Sequence, residues 1–193
     1  MENNINNKKQ IVTWVIVGVV VALIVIYLIV KGGGIKAPVS NNQGGIQTAS
    51  GTVAVTGTSP VNAQGEVIAP SGKVADNSSV PGSLSAPQQS APIDATQVPP
   101  SAVKLEISAA GFVPSTFTVK AGAAVTLSLT GTDDQTHVLR FDDPSLQGVA
   151  IGIGPGMTRV TTFNAPSKPG DYSFHCDVPG HAARGEVGKM VVQ

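Results

Sequence analysis

The side chains best suited to chemistry lie near the end of the 193-residue chain. Cys176 is the only cysteine, and His181 follows it by five residues. A further histidine, His137, lies 39 residues before the cysteine, at the beginning of an alternating apolar stretch. One thiolate and two imidazoles form the ligand set of a mononuclear copper site, which a weak axial ligand usually completes. These three residues therefore predict one bound copper ion, with zinc as the main competing metal.

The alternation of the surrounding pattern indicates which of these side chains face inward. In the segment YSFHC, residues 172–176, the two aromatic residues and Cys176 share one face, and His175 lies on the other. His137 likewise shares a face with apolar residues of its own stretch. Taken singly, a core histidine, an inert thiol or a loop histidine would be ordinary. Their order and spacing together favour metal ligation, whereas His175 is expected on the surface, outside the ligand set.

Short apolar–polar alternations run through residues 101–193 and predict an all-β domain. Turns that contain glycine or proline separate the alternations, and the region shows no convincing helix pattern. Many short alternating strands with such turns are typical of an antiparallel β-sandwich. The predicted strands lie near residues 103–108, 117–120, 125–130, 137–141, 158–163, 172–176 and 188–192.

Three parts of this region resemble the small cupredoxins, the relatives of plastocyanin, azurin and auracyanin. They are the opening GFVPSTFTVKAGAAVTLSL, the strand that bears His137, and the segment PGDYSFHCDVPGH near the end. The resemblance covers residues 103–193 and extends to the cupredoxin-like domains of periplasmic iron-uptake proteins. It implies an eight-stranded Greek-key sandwich, a buried mononuclear copper near one end, and one-electron transfer. It also implies a redox protein partner that docks at the apolar end around His181.

The fourth coordination position departs from the pattern of that family. Auracyanin-like loops place a methionine, in a GM-x-G context, five residues after the second histidine, whereas this loop reads GEVG and places Glu186 there. Met190 lies further along a strand, about 13 Å away, and matches a core residue. Glu186 could be the axial ligand, a solvated carboxylate at the rim, or the salt-bridge partner of Arg184. We favour the axial ligand, which should lower the reduction potential because a carboxylate stabilises Cu(II) over Cu(I).

The first hundred residues are organised differently. Residues 1–10 form a polar stub, and residues 11–30 form an uncharged apolar run that would be about 30 Å long as a helix, enough to cross a bilayer. No clear small-x-small cleavage site follows, which favours an uncleaved transmembrane anchor over a signal peptide. Residues 31–100 are rich in Gly, Ser, Ala, Pro, Gln and Asn and predict a flexible, disordered linker. We expect residues 101–193 to be an extracytoplasmic cupredoxin domain, in the periplasm or at the cell exterior, on a single-pass membrane anchor.

Residue counts narrow the function classes. Residues 101–193 contain seven Lys and Arg and eight Asp and Glu, so they offer nucleic acid no basic surface. A binuclear centre of the CuA type needs two cysteines and this chain has one, and three histidines are too few for a multicopper oxidase, so we do not expect an enzyme. The main hypothesis is a monomeric, membrane-anchored one-electron carrier with copper at His137, Cys176, His181 and Glu186. The alternative is a copper-binding or delivery module of metal homeostasis without a redox role.

Overall fold

The structure is a computed structural model that describes residue 55 and residues 57–193. The predicted stub and membrane anchor, at residues 1–10 and 11–30, lie outside the described residues, as does the first part of the predicted linker. Within the described part, no helix combines the length and the apolar character needed to cross a membrane.

Two β-sheets packed face to face make up the main body of the described chain, in agreement with the predicted all-β sandwich. The four-stranded sheet has the order β2-β1-β4-β7, and the five-stranded sheet has the order β3-β9-β8-β5-β6. The described residues contain no α-helix, and three short 3-10 helices lie in connections: Ala95–Gln97, Pro144–Leu146 and Ala182–Arg184. The strands are β1 Val103–Ser108, β2 Gly111–Val113, β3 Thr116–Val119, β4 Ala124–Gly131, β5 His137–Phe141, β6 Ala150–Ile153, β7 Thr158–Asn164, β8 Gly170–Cys176 and β9 Val187–Val192.

The sandwich contains parallel as well as antiparallel pairs, which corrects the prediction of a wholly antiparallel fold. β1 runs parallel to β4, and β3 runs parallel to β9. Parallel neighbours cannot be joined by a tight hairpin and need a crossover connection. Here the chain leaves one sheet after β2, contributes β3 to the other sheet, and returns as β4. Residues 111–119 therefore supply one short strand to each sheet, and the described chain has nine strands rather than the eight implied by the resemblance.

The hydrophobic core lies between the sheets, where alternate residues of the facing strands meet. Phe174 of β8 is at its centre, with its ring centroid 5.0 Å from that of Phe112, 5.8 Å from Phe117 and 5.7 Å from Phe141. Met190 has no exposed surface and belongs to this core, as the sequence predicts. The strand that carries the candidate cysteine is therefore anchored by packed aromatic rings just before its end.

Residues 57–100 are not the flexible linker that the sequence predicts; they lie along the edge of the sandwich and are called the strap below. The Ser90 amide donates to the Val160 carbonyl at 2.8 Å, and the Ser90 hydroxyl accepts from the Val160 amide at 3.1 Å. The Ile93 amide donates to the Thr158 carbonyl at 2.9 Å. An edge strand such as β7 exposes unpaired backbone groups. These bonds explain why a segment with few large apolar side chains is nevertheless ordered.

Side-chain amides also attach the strap to both sheets. Oε1 of Gln89 accepts from the amide of Gly152 in β6 at 2.9 Å. On β7, Asn164 accepts from the Val67 amide at 2.9 Å and donates to the Gly65 carbonyl at 3.1 Å. Val67 is fully buried as a result. The strap thus closes the open edge between the two sheets.

Replacing Gly148 with alanine is expected to lift the strap from the sandwich. The Gly148 amide donates to the Asn77 carbonyl at 2.6 Å. A Cβ on this glycine would stand 2.7 Å from the Ser79 carbonyl oxygen and 2.9 Å from that of Asn77, and backbone atoms cannot yield without moving the strap. We expect limited proteolysis within residues 57–100 to become about tenfold faster, equivalent to a local opening free energy lower by about 1.4 kcal/mol.

Gly152→Ala is the matched control for this experiment. The nearest atom to a Cβ at Gly152 is 3.9 Å away, in Val138, so the added methyl group meets no backbone. This variant should be cleaved at the parent rate, with the sites identified by mass spectrometry. Equal rates for Gly148→Ala and the parent chain would show that the strap does not depend on this contact.

Candidate metal centre

Two neighbouring antiparallel strands bring the predicted ligands to one end of the sandwich. β5 begins with His137 and β8 ends with Cys176, so the start of one strand lies beside the end of the other. Residues 177–186 then turn back and lead into β9. A hydrogen bond from the Cys176 amide to the Glu186 carbonyl, at 3.0 Å, closes this loop. The closed loop returns His181 and Glu186 to the cysteine.

One donor atom from each of the four predicted residues lies within 4.8 Å of the other three. Sγ of Cys176 is 3.5 Å from Nδ1 of His181 and 3.8 Å from Nδ1 of His137. Oε2 of Glu186 is 2.8 Å from Nδ1 of His137 and 2.9 Å from Nδ1 of His181. All four residues are buried, and His181 is the most exposed of them at 8 %. In the described part of the chain, no other group of three or more such side chains converges in this way.

The chemistry of these donors fits a copper ion. They offer one soft thiolate sulfur, two imidazole nitrogens and one carboxylate oxygen, all facing the same small volume. Thiolate and imidazole together select copper among the common metals, and the same set can also bind zinc. Residues His137, Cys176, His181 and Glu186 would hold the ion.

The Glu186 carboxylate faces the donor cluster with one oxygen and Arg184 with the other. Its Oε2 faces the two histidines, while its Oε1 accepts from Nε of Arg184 at 2.8 Å and lies 2.7 Å from Nη2. Because the side chain has no exposed surface, a solvated carboxylate at the rim is ruled out. Burial by itself would raise the pKa of this carboxyl group, but hydrogen bonds from Arg184 and from the neighbouring donor side chains outweigh burial and lower it. Glu186 is therefore ionised.

The thiol of Cys176 shows the opposite behaviour. Burial raises its pKa, and the nearby Glu186 carboxylate raises it further, although the amides of Val138 and Val178 lower it in part. The Val138 amide lies 3.4 Å from Sγ. The thiol therefore keeps its proton near neutral pH in the absence of metal. A metal ion must displace that proton in order to bind.

Asp133 positions the His137 ring, a role that the sequence pattern did not identify. Its Oδ1 lies 3.0 Å from Nε2 of His137, and the amides of Ala109 and Gln135 donate to the carboxylate. Burial would raise the pKa of Asp133, but the hydrogen bonds from His137 and the two amides lower it to about 2. A carboxylate hydrogen-bonded to Nε2 fixes the orientation of the ring, so that Nδ1 faces the other three donors, where it could bind a metal. The one available signal was an aspartate four residues before the histidine, in a segment that also fits a turn.

His175 lies outside the donor set, as the strand alternation predicts. It is on the outer face of β8, where Nδ1 hydrogen-bonds with Asp142 and Nε2 is 3.5 Å from Asp177. Its side chain is 29 % exposed. Although it is adjacent to Cys176 in sequence, it takes no part in the buried cluster.

Three solved structures are each similar to about half of this chain. Auracyanin from the photosynthetic bacterium Roseiflexus castenholzii is 24 % identical, with 48 % of this chain and 97 % of that chain covered and a TM-score of 0.44. Auracyanin B is 18 % identical, with 54 % and 95 % covered and a TM-score of 0.43. Amicyanin from Paracoccus versutus is 23 % identical, with 53 % and 92 % covered and a TM-score of 0.41.

A family model described as a cupredoxin-like domain matches residues 82–192. The match begins within the strap, so the domain boundary predicted at residue 101 lies too late in the chain. The cause is the same as for the linker: the strap resembles a tether in composition but bonds to the sandwich edge. The matched residues make up more than half of the 193-residue sequence, and the chain belongs to the family of cupredoxin-like domains.

Proposed function

We propose that this protein is a one-electron carrier that holds a single copper ion at His137, Cys176, His181 and Glu186. The observation that carries the proposal is the convergence of these four buried donor atoms at one end of a cupredoxin-like domain. A thiolate with two imidazoles is the donor set that tunes copper for electron transfer. Glu186 would supply the fourth donor, a carboxylate oxygen, in this proposal.

The elements around the site would keep the donor side chains in place when the charge of a bound copper ion changes. A bound copper ion would supply a one-electron couple between Cu(II) and Cu(I). His137 and Cys176 stand on adjacent strands within the sheet, and Asp133 fixes the orientation of the first ring. Side chains placed on rigid elements and held by further hydrogen bonds change little when the charge at a site changes. Small rearrangement favours rapid electron transfer.

A redox protein partner is proposed to dock at the apolar end around His181. Of the four donor residues, His181 is the nearest to solvent. The adjacent loop residues Pro179, Gly180 and Ala183 are small or apolar and exposed. Such a surface lets a partner approach the imidazole edge closely, with the exposed Arg184 of the same loop beside it. A monomeric carrier with one such face is the simplest form of this proposal.

We also propose that the domain is held outside the cytoplasm by an amino-terminal anchor. The support is the sequence alone: residues 11–30 contain no charged residue and are long enough for one transmembrane helix. The segment between this run and the strap would allow the sandwich to reach partners near the membrane.

The test is the visible absorption and EPR spectrum of the full-length chain loaded with Cu(II), compared with Glu186→Met. We expect an intense sulfur-to-copper band in the parent protein that shifts when the glutamate is replaced. A band that is the same in both proteins would support the thiolate site and show that Glu186 does not bind the metal. The absence of a band in both proteins would refute the copper proposal.

A second measurement separates electron carriage from copper delivery. A reversible midpoint potential, with copper retained in both oxidation states, is expected for a carrier. Rapid loss of copper to a competing chelator in either state would instead favour the delivery module. The two outcomes are distinguishable because a carrier must keep its ion over many redox cycles.

A further inference from the structure

Glu186 divides its two oxygens between the donor cluster and a cation. Oε2 contacts Nδ1 of both His137 and His181, whereas Oε1 is paired with the guanidinium of Arg184. The carboxylate is fully buried, and the arginine side chain is 39 % exposed. The guanidinium therefore reaches from the surface to the side of the carboxylate that faces away from the donors.

The backbone between these two residues favours this pairing. Arg184 ends the 3-10 helix Ala182–Arg184, and Gly185 follows with a left-handed φ of 107°. A residue in the left-handed conformation turns the chain sharply after a helix. Residues with a Cβ atom rarely adopt this conformation. The reversal places Arg184 and Glu186 close enough for two contacts between the guanidinium and one carboxylate oxygen.

Arg184 also reaches the loop that positions the first histidine. Its Nη2 donates to Oε1 of Gln135 at 2.6 Å, and the Gln135 amide donates to Asp133 at 3.0 Å. Asp133 in turn contacts Nε2 of His137. The arginine could thus act through its charge on Glu186 or through this loop contact, and the two roles need separate variants.

The balance of charge in the buried cluster indicates which role matters more. An ionised Cys176 and an ionised Glu186 place two negative charges in a volume with almost no solvent access. A divalent ion would balance both, but a monovalent ion would leave one buried negative charge uncompensated, which is unfavourable. The guanidinium on Oε1 supplies the missing positive charge.

We propose that Arg184 is a positioning residue that sets the reduction potential of the centre by compensating the charge of Glu186. The inference depends on the proposed copper function and adds to it a reason why an anionic fourth donor is compatible with the reduced state. Removing the positive charge favours the more positive oxidised ion over the reduced ion. The reduction potential must therefore fall when Arg184 is made neutral.

Potentiometric titration of the copper-loaded, full-length chain tests this inference. In Arg184→Leu, the ratio of Cu(II) to Cu(I) affinity is expected to rise at least tenfold, which lowers the midpoint potential by at least about 59 mV for one electron. Arg184→Lys keeps the charge and should stay within about threefold of the parent ratio. Lys104→Leu removes the same charge from an exposed position on β1 and should also stay within about threefold.

Gln135→Ala separates charge from loop position. It removes the contact between Arg184 and the neighbouring loop but leaves the pair with Glu186, so the potential should again stay within about threefold of the parent ratio. A shift in Gln135→Ala equal to that in Arg184→Leu would overturn the inference, since loop position would then explain both. An unchanged potential in Arg184→Leu would overturn it directly.

Two further outcomes complete the test. If Arg184→Leu takes up no copper, Arg184→Lys decides. A change within about threefold in this variant, which keeps the charge, supports the inference, and a larger change contradicts it. If the parent chain shows no thiolate-to-copper band, the proposed function fails and this inference fails with it. A parent band with an unchanged potential in Arg184→Leu refutes only the role of Arg184.

Discussion

Replacing Cys176 with serine is expected to abolish the intense visible band of the copper-loaded chain. The sulfur-to-copper transition requires a thiolate, and a serine hydroxyl neither ionises near neutral pH nor acts as a soft ligand. His137, His181 and Glu186 would still meet at the end of the sandwich, so weak binding to nitrogen and oxygen donors could persist. We expect copper affinity to fall by more than about 100-fold, the upper end of what the loss of an outer-shell partner causes. A copper titration followed by absorption and EPR measures both effects.

His175→Ala is the matched control for the cysteine variant. His175 precedes Cys176 directly, but it lies on the outer face of β8 and bonds to Asp142. Its removal should leave the band in place and change copper affinity by no more than about threefold. A band that survives in Cys176→Ser would place the sulfur ligand elsewhere, and a band lost in His175→Ala would contradict the inward and outward assignment of this strand.

Replacing Gly188 with alanine is expected to destabilise the metal-free protein by about 3 kcal/mol. A Cβ at this position of β9 would lie 2.5 Å from the Phe174 ring and 2.6 Å from the Ser115 carbonyl oxygen. The ring cannot rotate away, because it is fully buried against neighbouring aromatic rings, and the carbonyl belongs to the backbone. Overpacking of this kind forces strained side chains and shifts of the backbone. Urea unfolding of the metal-free chain measures the free energy of unfolding.

The same substitution should also weaken copper binding. Phe174 is two residues before Cys176 on the same face of β8, so a displaced ring moves the sulfur donor. Gly152→Ala, on β6, provides the comparison. The atom nearest to its Cβ would be 3.9 Å away, so this substitution should lower the free energy of unfolding by less than about 0.5 kcal/mol. Equal stability of the two variants would mean that the contact between Gly188 and Phe174 relaxes freely.

The inward placement of the donor residues could be predicted because strand alternation is a local property. Tyr172, Phe174 and Cys176 share a face whatever the rest of the chain does, and His175 must lie on the other. The short spacing from Cys176 to His181 likewise keeps the histidine in the loop that directly follows the cysteine's strand. The structure confirms the alternation, since Cys176 is in the core and His175 is on the outer face.

The strap shows where composition fails as a guide. Residues 57–100 contain few large apolar side chains, so a balance of hydrophobic burial against chain entropy predicts disorder. The bonds that order them run to Val160, Thr158 and Asn164, which lie far away in sequence. A free backbone edge is a property of the assembled sheet, and no local pattern within the strap reveals it.

The sequence by itself determined the candidate donors: one thiol, two imidazoles and a carboxyl group. Only the tertiary structure decided how Glu186 is used, with one oxygen toward the donors and the other on Arg184. It alone also placed Asp133 on the far side of the His137 ring. The physical reason is that residue type and alternation specify which face a side chain takes, whereas its partners across the sandwich depend on how distant strands and loops meet.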